Sequence, residues 1–229
     1  MKKKKLWMVP AGLVILLTLG FFLYVSDYYR AGDKALKALE PDSVSVERAE
    51  YGWFFDGPAE DRCLIFYPGA KVEETAYAPL LHELAANGVD VCLVRVPFHL
   101  AVFGMNTADG IMAQYEYDCW YIGGHSLGGA IAANYAAAHD LDGVILLAAY
   151  PTKDVDEPML IICGSEDGVV NQERLAAADR FGSVEEVIIP GGNHAGFGDY
   201  GPQSGDRAAA ISAQEQQQAA ADAVLACIS

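Results

Sequence analysis

The sequence predicts an α/β fold, doubly wound, with a mostly parallel central sheet flanked by helices. Three observations carry this. Short apolar runs rich in β-branched residues recur along the chain, stretches with helical spacing separate them, and most runs stop at a proline or glycine. Continuous apolar strands, as opposed to alternating ones, belong to a parallel sheet buried on both faces. The helices between them supply the crossovers that parallel strands need.

Residues 26–43 read as a linker with a helical turn over Lys34–Leu39, stopped by Pro41, and the folded body takes up 44–229. The first run, Cys63–Tyr67, ends at Pro68-Gly69, and a helix over Tyr77–Ala86 stops at Asn87-Gly88. The second run, Val89–Val94, ends at Val96-Pro97. A helical stretch around 110–115 leads to the third, Asp118–Ile122, which ends at Gly123-Gly124. Helix Leu127–His139 is followed by the runs Gly143–Ala148 and Pro158–Cys163. Helix Gln172–Phe181 stops at Gly182, and the last run, Val184–Ile189, ends at Pro190-Gly191-Gly192. The final helix starts near Ser212, with Glu215 three residues on as a capping box, and extends to about Cys227. Its segment 215–218 reads as a solvated face.

A chain of 229 residues is long enough for one domain with an appendage. At 52% hydrophobic and 20% charged it can bury a core, which excludes intrinsic disorder. Lys and Arg number 15 against 31 Asp and Glu, a net charge of −16. Four of those cations are Lys2–Lys5, and residues 1–25 hold no acid, so the chain beyond residue 25 carries −20. Phosphate backbones repel such a body, which excludes nucleic acid as a partner.

Residues 6–25 are twenty positions without a charge, enough to span the roughly 30 Å core of a bilayer as a helix. The lysines before them stay cytoplasmic under the positive-inside rule, placing the body across the membrane. A cleaved signal peptide is the rival reading, but the stretch is long and its possible cuts have Tyr24 or Tyr29 two residues ahead. Residues 1–25 are therefore an anchor or signal segment. The five cysteines, Cys63, Cys92, Cys119, Cys163 and Cys227, show neither CxxC nor zinc spacing and read as packing residues.

Ligands bind at the carboxyl ends of the strands in such sheets, so chemistry is sought in the loops there. Gly124-His125-Ser126-Leu127-Gly128 follows an apolar strand and opens an Ala-rich helix. A tight strand-to-helix turn of this kind presents a serine as a nucleophile. Of the five histidines, His82 lies inside a helix, His139 at a helix end, and His125 beside the serine. His99 follows a strand and is a possible site neighbour. His194, in the glycine-rich loop after the last strand, is the candidate base. Asp167, followed by Gly168, leads Glu166, Asp154 and Asp156 as the carboxylate that would orient it. The N–H groups of Leu127 and of Ala70 are the candidate oxyanion donors. Lys71 reads as a solvated lysine beside the site.

These pieces, FYPGAKV, GGHSLGG, GSEDGVV and GGNHAGFGDYG, resemble the α/β-hydrolase superfamily over nearly all of 44–228, and within it small bacterial members related to dienelactone hydrolase. The resemblance implies that fold, a covalent acyl-serine route, and no cofactor or metal. Ser126 stands where dienelactone hydrolase itself has cysteine, so that substrate does not carry over. Only Ala149–Glu157 separates the strands where a cap is usually inserted, which predicts an open site. The expected activity is hydrolysis of an ester-type bond in a small neutral or cationic substrate. Acyl transfer to an alcohol or amine by the same residues, and a non-catalytic membrane-tethered binding module, are the rivals.

Overall fold

The structure, a computed structural model, describes residues 2–40, 42–58 and 61–228, and of residues 2–9 and 11 the backbone only. Its strands are β1 (Ser45–Ala49), β2 (Gly52–Asp56), β3 (Arg62–Tyr67), β4 (Asp90–Val94), β5 (Cys119–His125), β6 (Gly143–Leu147), β7 (Met159–Gly164) and β8 (Val184–Ile189). They form one sheet in the order β1-β2-β4-β3-β5-β6-β7-β8. The six strands from β3 to β8 pair in parallel and coincide with the six apolar runs, whereas β1 and β2 are antiparallel.

The β1–β2 hairpin is absent from the sequence reading. As the edge strand, β1 leaves Ser45, Glu47 and Arg48 exposed, and charged residues at a sheet edge guard against pairing with other chains. It therefore lacks the apolar run that marks a buried strand.

The helices are α1 (Lys2–Ser26), α2 (Asp33–Lys37), α3 (Ala78–Ala86), α4 (Thr107–Met112), α5 (Leu127–Ala136), α6 (Gln172–Leu175) and α7 (Ala213–Cys227). Successive residues of a strand face opposite sides, and β3 shows how this builds two cores. Leu64 and Phe66 pack in the layer with Leu81 and Leu84 of α3 and Val224 of α7. Cys63, Ile65 and Tyr67 pack in the layer with Ile111 of α4, Ile131 of α5 and Leu175 of α6. Each fully buried Leu, Ile or Phe contributes about 1.5–3 kcal/mol.

Several expectations are corrected. Gly123 and Gly124 do not end their strand but pair with Phe66 and Tyr67 of β3. A Cβ on Gly124 would sit 2.5 Å from the Tyr67 carbonyl oxygen, so glycine there allows close strand packing. The helix expected over Gln172–Phe181 breaks into α6 and a 3-10 turn, Ala178–Phe181. The capping box of α7 is present, but 215–218 is not a solvated face, because Gln216 and Gln217 are buried. Cys63, Cys92 and Cys163 are buried as packing residues, whereas Cys227 is exposed.

Residues 26–43 are not a free linker. Tyr29 bridges to Val72, and the Asp199 carboxylate accepts from the N–H of Ala35 in α2 at 2.9 Å. Of the apolar stretch 6–25, the side chains of 6–9 and 11 lie outside the described ones. Among the described residues no helix is long and apolar enough to cross a membrane.

From β3 the chain moves outward to β4, then returns across β3 to β5. At this switch point the loops leaving β3 and β5 diverge and open a crevice. All described non-glycine residues with positive φ lie in the loops at this end of the sheet. They are Lys71 after β3, Phe98 and His99 after β4, Ser126 after β5 and Ala148 after β6.

Packing at the switch point gives the first prediction. Gly124→Ala drives a methyl into the Tyr67 carbonyl and should destabilise the protein by about 1–3 kcal/mol. Thermal unfolding should show a melting temperature lower by several degrees.

Candidate active site

Ser126 closes β5 at φ 52°, ψ −118°, a conformation that serine rarely adopts. Its surroundings hold it there. Its N–H donates to the Leu147 carbonyl at 2.9 Å, and its carbonyl accepts from Ala130 at 3.1 Å as α5 begins. A Cβ on Gly128 would come 2.2 Å from the Tyr67 carbonyl oxygen, so glycine lets the start of α5 close on β3. The half-buried serine lines a cleft of about 330 Å³ with Leu127, Ala149, Val170, Arg174 and His194.

His194 lies in the loop after β8 and is buried, as is Asp167 in the loop after β7. Their side chains meet at 2.9 Å, His194 Nδ1 to Asp167 Oδ2. Asp167 Oδ1 accepts from the N–H groups of Val169 and Val170, both at 2.8 Å. Burial pushes the Asp167 pKa up, but the bond to His194 and these two amides outweigh it and hold the carboxyl below its usual range. An ionised Asp167 can only accept, so Nδ1 of His194 carries the proton. Among the described residues His194 Nε2 is buried without a hydrogen-bond partner, and His194 lines the same cleft as Ser126.

Two residues missed in the sequence fix the histidine loop. The buried side chain of Gln216 accepts from Asn193 N–H at 2.9 Å and donates to the Asn193 carbonyl at 2.7 Å. A Cβ on Gly196 would fall 2.1 Å from Gln216 Oε1, which explains a glycine there. Asp206 takes the Gly168 N–H at 3.0 Å on one oxygen and the Ala195 N–H at 2.9 Å on the other, tying the Asp167 loop to the His194 loop. A helix glutamine and a loop aspartate carry no local pattern that would have singled them out.

His125 proves structural. It is buried, with Nε2 3.0 Å from the His194 carbonyl oxygen and Nδ1 2.8 Å from the Tyr77 hydroxyl. Burial, with His194 nearby, holds its pKa well below the ordinary value, so the ring is neutral. A carbonyl only accepts, so Nε2 carries the proton and Nδ1 accepts from Tyr77. The Tyr77 oxygen in turn accepts from Gly69 N–H at 3.1 Å. One buried chain of hydrogen bonds thus joins the loop after β3, the serine turn and the histidine loop.

In the loop after β3, the amides of Gly69, Lys71 and Val72 bond to Tyr77, His99 and Gly69. The Ala70 amide forms no such bond among the described residues. Leu127 opens α5, where N–H groups have no partner within the helix. Lys71 is not a solvated lysine beside the site. Its Nζ lies 3.3 Å from Asp27 and 4.5 Å from the centre of the Tyr24 ring.

The remaining candidates are engaged elsewhere. His99 stacks on Tyr28, His82 meets Asp42 and His139 stacks on Tyr135. Asp154 and Asp156 are exposed at a separate hollow with His139, and the Glu166 carboxylate accepts from the Ser165 hydroxyl at 3.3 Å. No group of His, Cys, Asp or Glu among the described residues is arranged to hold a metal ion.

Asp167→Asn leaves an oxygen for Val169 and Val170, so the fold should persist. Its amide group would donate towards Nδ1 and favour the wrong tautomer of His194, and turnover should fall by about 10⁴-fold. The native Asp167 has a folded pKa below its unfolded value. Its stabilising contribution is therefore present above about pH 4 and is lost as pH falls through the folded value. Melting temperature followed against pH should show a shallower acid limb for Asp167→Asn. Tyr77→Phe strands the Gly69 N–H and His125 Nδ1, and denaturant titration should show a loss of about 1–3 kcal/mol.

Comparisons with known proteins bear on the fold. No curated protein sequence matches the chain. Among solved structures, the dienelactone hydrolase of Anabaena variabilis matches with a TM-score of 0.60 at 14% identity, covering 81% of this chain and 99% of its own. Est1E from Butyrivibrio proteoclasticus gives 0.56 at 15%, covering 82% and 99%. Esterase 2 of Thermogutta terrifontis, in a form phosphoramylated by tabun, gives 0.55 at 14%, covering 82% and 96%. At these identities the likeness is one of fold. A family model described as "Alpha/beta hydrolase family" matches residues 63–218, from β3 into α7. The chain belongs to the alpha/beta hydrolase family.

Proposed function

We propose that this protein is a serine hydrolase that cleaves an ester-type bond in a small neutral or cationic substrate. The observation that carries the reading is the buried His194–Asp167 pair at 2.9 Å, whose free Nε2 belongs to a residue lining the same cleft as Ser126. In this reading His194 Nε2 takes the proton from Ser126 Oγ as that oxygen attacks the carbonyl carbon. Asp167 stabilises the resulting imidazolium. The N–H groups of Leu127 and Ala70 hold the oxyanion, each worth roughly 2.7–4 kcal/mol. Nε2–H then protonates the departing alcohol. Nε2 next takes a proton from water as it attacks the acyl-serine, and returns it to Ser126 Oγ as the bond from Oγ to the acyl carbon breaks and frees the acid. The names of the fold's relatives, esterases and a dienelactone hydrolase, agree with an ester-type bond.

The strong negative charge beyond residue 25 disfavours polyanionic substrates. The N-terminal segment serves in this reading as a membrane tether, with the body on the extracytoplasmic side. The uncharged run 6–25 and the exposed Leu13–Leu17 of α1 support this.

A fluorophosphonate, which phosphonylates an activated serine, tests the proposal together with p-nitrophenyl esters of increasing chain length. Ser126 should be the modified residue by mass spectrometry, and Ser126→Ala should lose turnover by roughly 10⁴–10⁶-fold with an unchanged melting temperature. Unaltered turnover in Ser126→Ala, or no labelling of the folded protein, would refute the mechanism.

A further inference from the structure

Large exposed apolar side chains gather in two places among the described residues. One is α1 from Leu13 to Tyr24, and the other is the loop after β4, where Phe98, Val102, Phe103 and Met105 are 40–52% exposed. The two places touch. The Phe21 ring lies 5.2 Å from that of Phe98 and 6.3 Å from that of Phe103, and Phe98 lies 5.5 Å from Phe103, all edge-on. They form one apolar surface, and a contiguous surface of this kind marks a contact with protein or membrane.

The backbone presents this surface at some cost. Phe98 and His99 both have positive φ, at 58° and 54°, a conformation that side-chain-bearing residues rarely adopt. The surface lies at the same end of the sheet as Ser126. Tyr29, three residues past α1, donates to Lys71 O at 2.7 Å, and Lys71 N donates to His99 O at 2.7 Å. The strand-end loop carrying Ala70 is thus held between the exit of α1 and the loop after β4. The turn Ala101–Phe103 packs against α5, the helix that Ser126 opens.

Charges of both signs border the patch. Arg30 and Arg95, both exposed, lie near His99 together with Glu73 and Glu74, and Lys71 pairs with Asp27 and faces Tyr24. Apolar side chains flanked by tyrosines and by charges of both signs match a zwitterionic lipid surface, where rings sit at headgroup level.

We propose that residues 97–105, beside the exit of α1, seat in the surface of a phosphatidylcholine-like bilayer and hold the carboxyl end of the sheet, with Ser126, towards it. The substrate is then an amphipathic ester taken from the lipid phase. The seating stands on the apolar surface alone, whereas the substrate class rests on the serine hydrolase reading above.

The test uses the full chain in phosphatidylcholine vesicles containing a diazirine-bearing phosphatidylcholine. Photolysis should give lipid adducts on Phe98, Val102, Phe103 or Met105 as well as on α1. Adducts confined to α1, or no adducts on residues 97–105, would overturn the seating. In the same vesicles, the full-length double variant Val102→Ser/Phe103→Ser should hydrolyse soluble p-nitrophenyl acetate within twofold of wild type. It should lose at least tenfold on a long-chain p-nitrophenyl ester dissolved in the lipid. Equal retention or equal loss on the two esters would overturn the substrate class. A wild-type protein inert to both esters and to fluorophosphonate would remove the hydrolase reading, while the photolysis result would still decide the seating.

Discussion

Everything at the carboxyl end of this sheet depends on holding Ser126 in a backbone conformation that serine avoids. At φ 52° the residue stores about 1–3 kcal/mol, and the surrounding contacts must over-determine it. They do so from three sides. Glycines at 124 and 128 let β3, β5 and the start of α5 approach at distances no side chain allows. Leu147 of β6 anchors the Ser126 amide. His125, one residue back, is locked between Tyr77 and the His194 carbonyl. The strained serine, the loop amides after β3 and the histidine loop are therefore parts of one buried network, and loosening any of them displaces the others.

The histidine loop depends on a second set of contacts of the same kind. Gln216 replaces a strand neighbour for Asn193 by offering both a donor and an acceptor from α7. Asp206 bridges the Asp167 loop and the His194 loop. The glycines of GGNHAGFG leave room for the amide of Gln216 to reach the backbone of a neighbouring loop.

How much of this was legible in the sequence follows from how local each signal is. The six parallel strands are apolar runs bounded largely by Pro and Gly, so their places along the chain and the fold class could be read directly. Ser126, His194 and Asp167 could be placed because each follows a strand in a turn-rich segment. The β1–β2 hairpin was invisible because an exposed edge strand has no apolar run. Gly123-Gly124 looked like a terminator because glycine's usual role at a turn masks its use where strands pack closely. Gln216, Asp206 and the Tyr77–His125 pair were illegible for another reason. Their partners lie 8 to 69 residues away, and no spacing rule connects a glutamine in a polar run to the loop it clamps. The segment 26–43 looked like a spacer because its contacts, Tyr29 to Val72 and Ala35 to Asp199, are likewise long-range.

The central claim is that the three loops converge so that a reacting oxygen bound to Ser126 falls between two prepared amides. A crystal structure of the fluorophosphonate adduct tests this most directly. The account predicts phosphorus bonded to Ser126 Oγ, with the phosphonyl oxygen about 2.7–3.1 Å from both the Leu127 and Ala70 nitrogens and His194 Nε2 within hydrogen-bond reach of Oγ. An adduct on another residue, or a phosphonyl oxygen turned away from these amides, would contradict it.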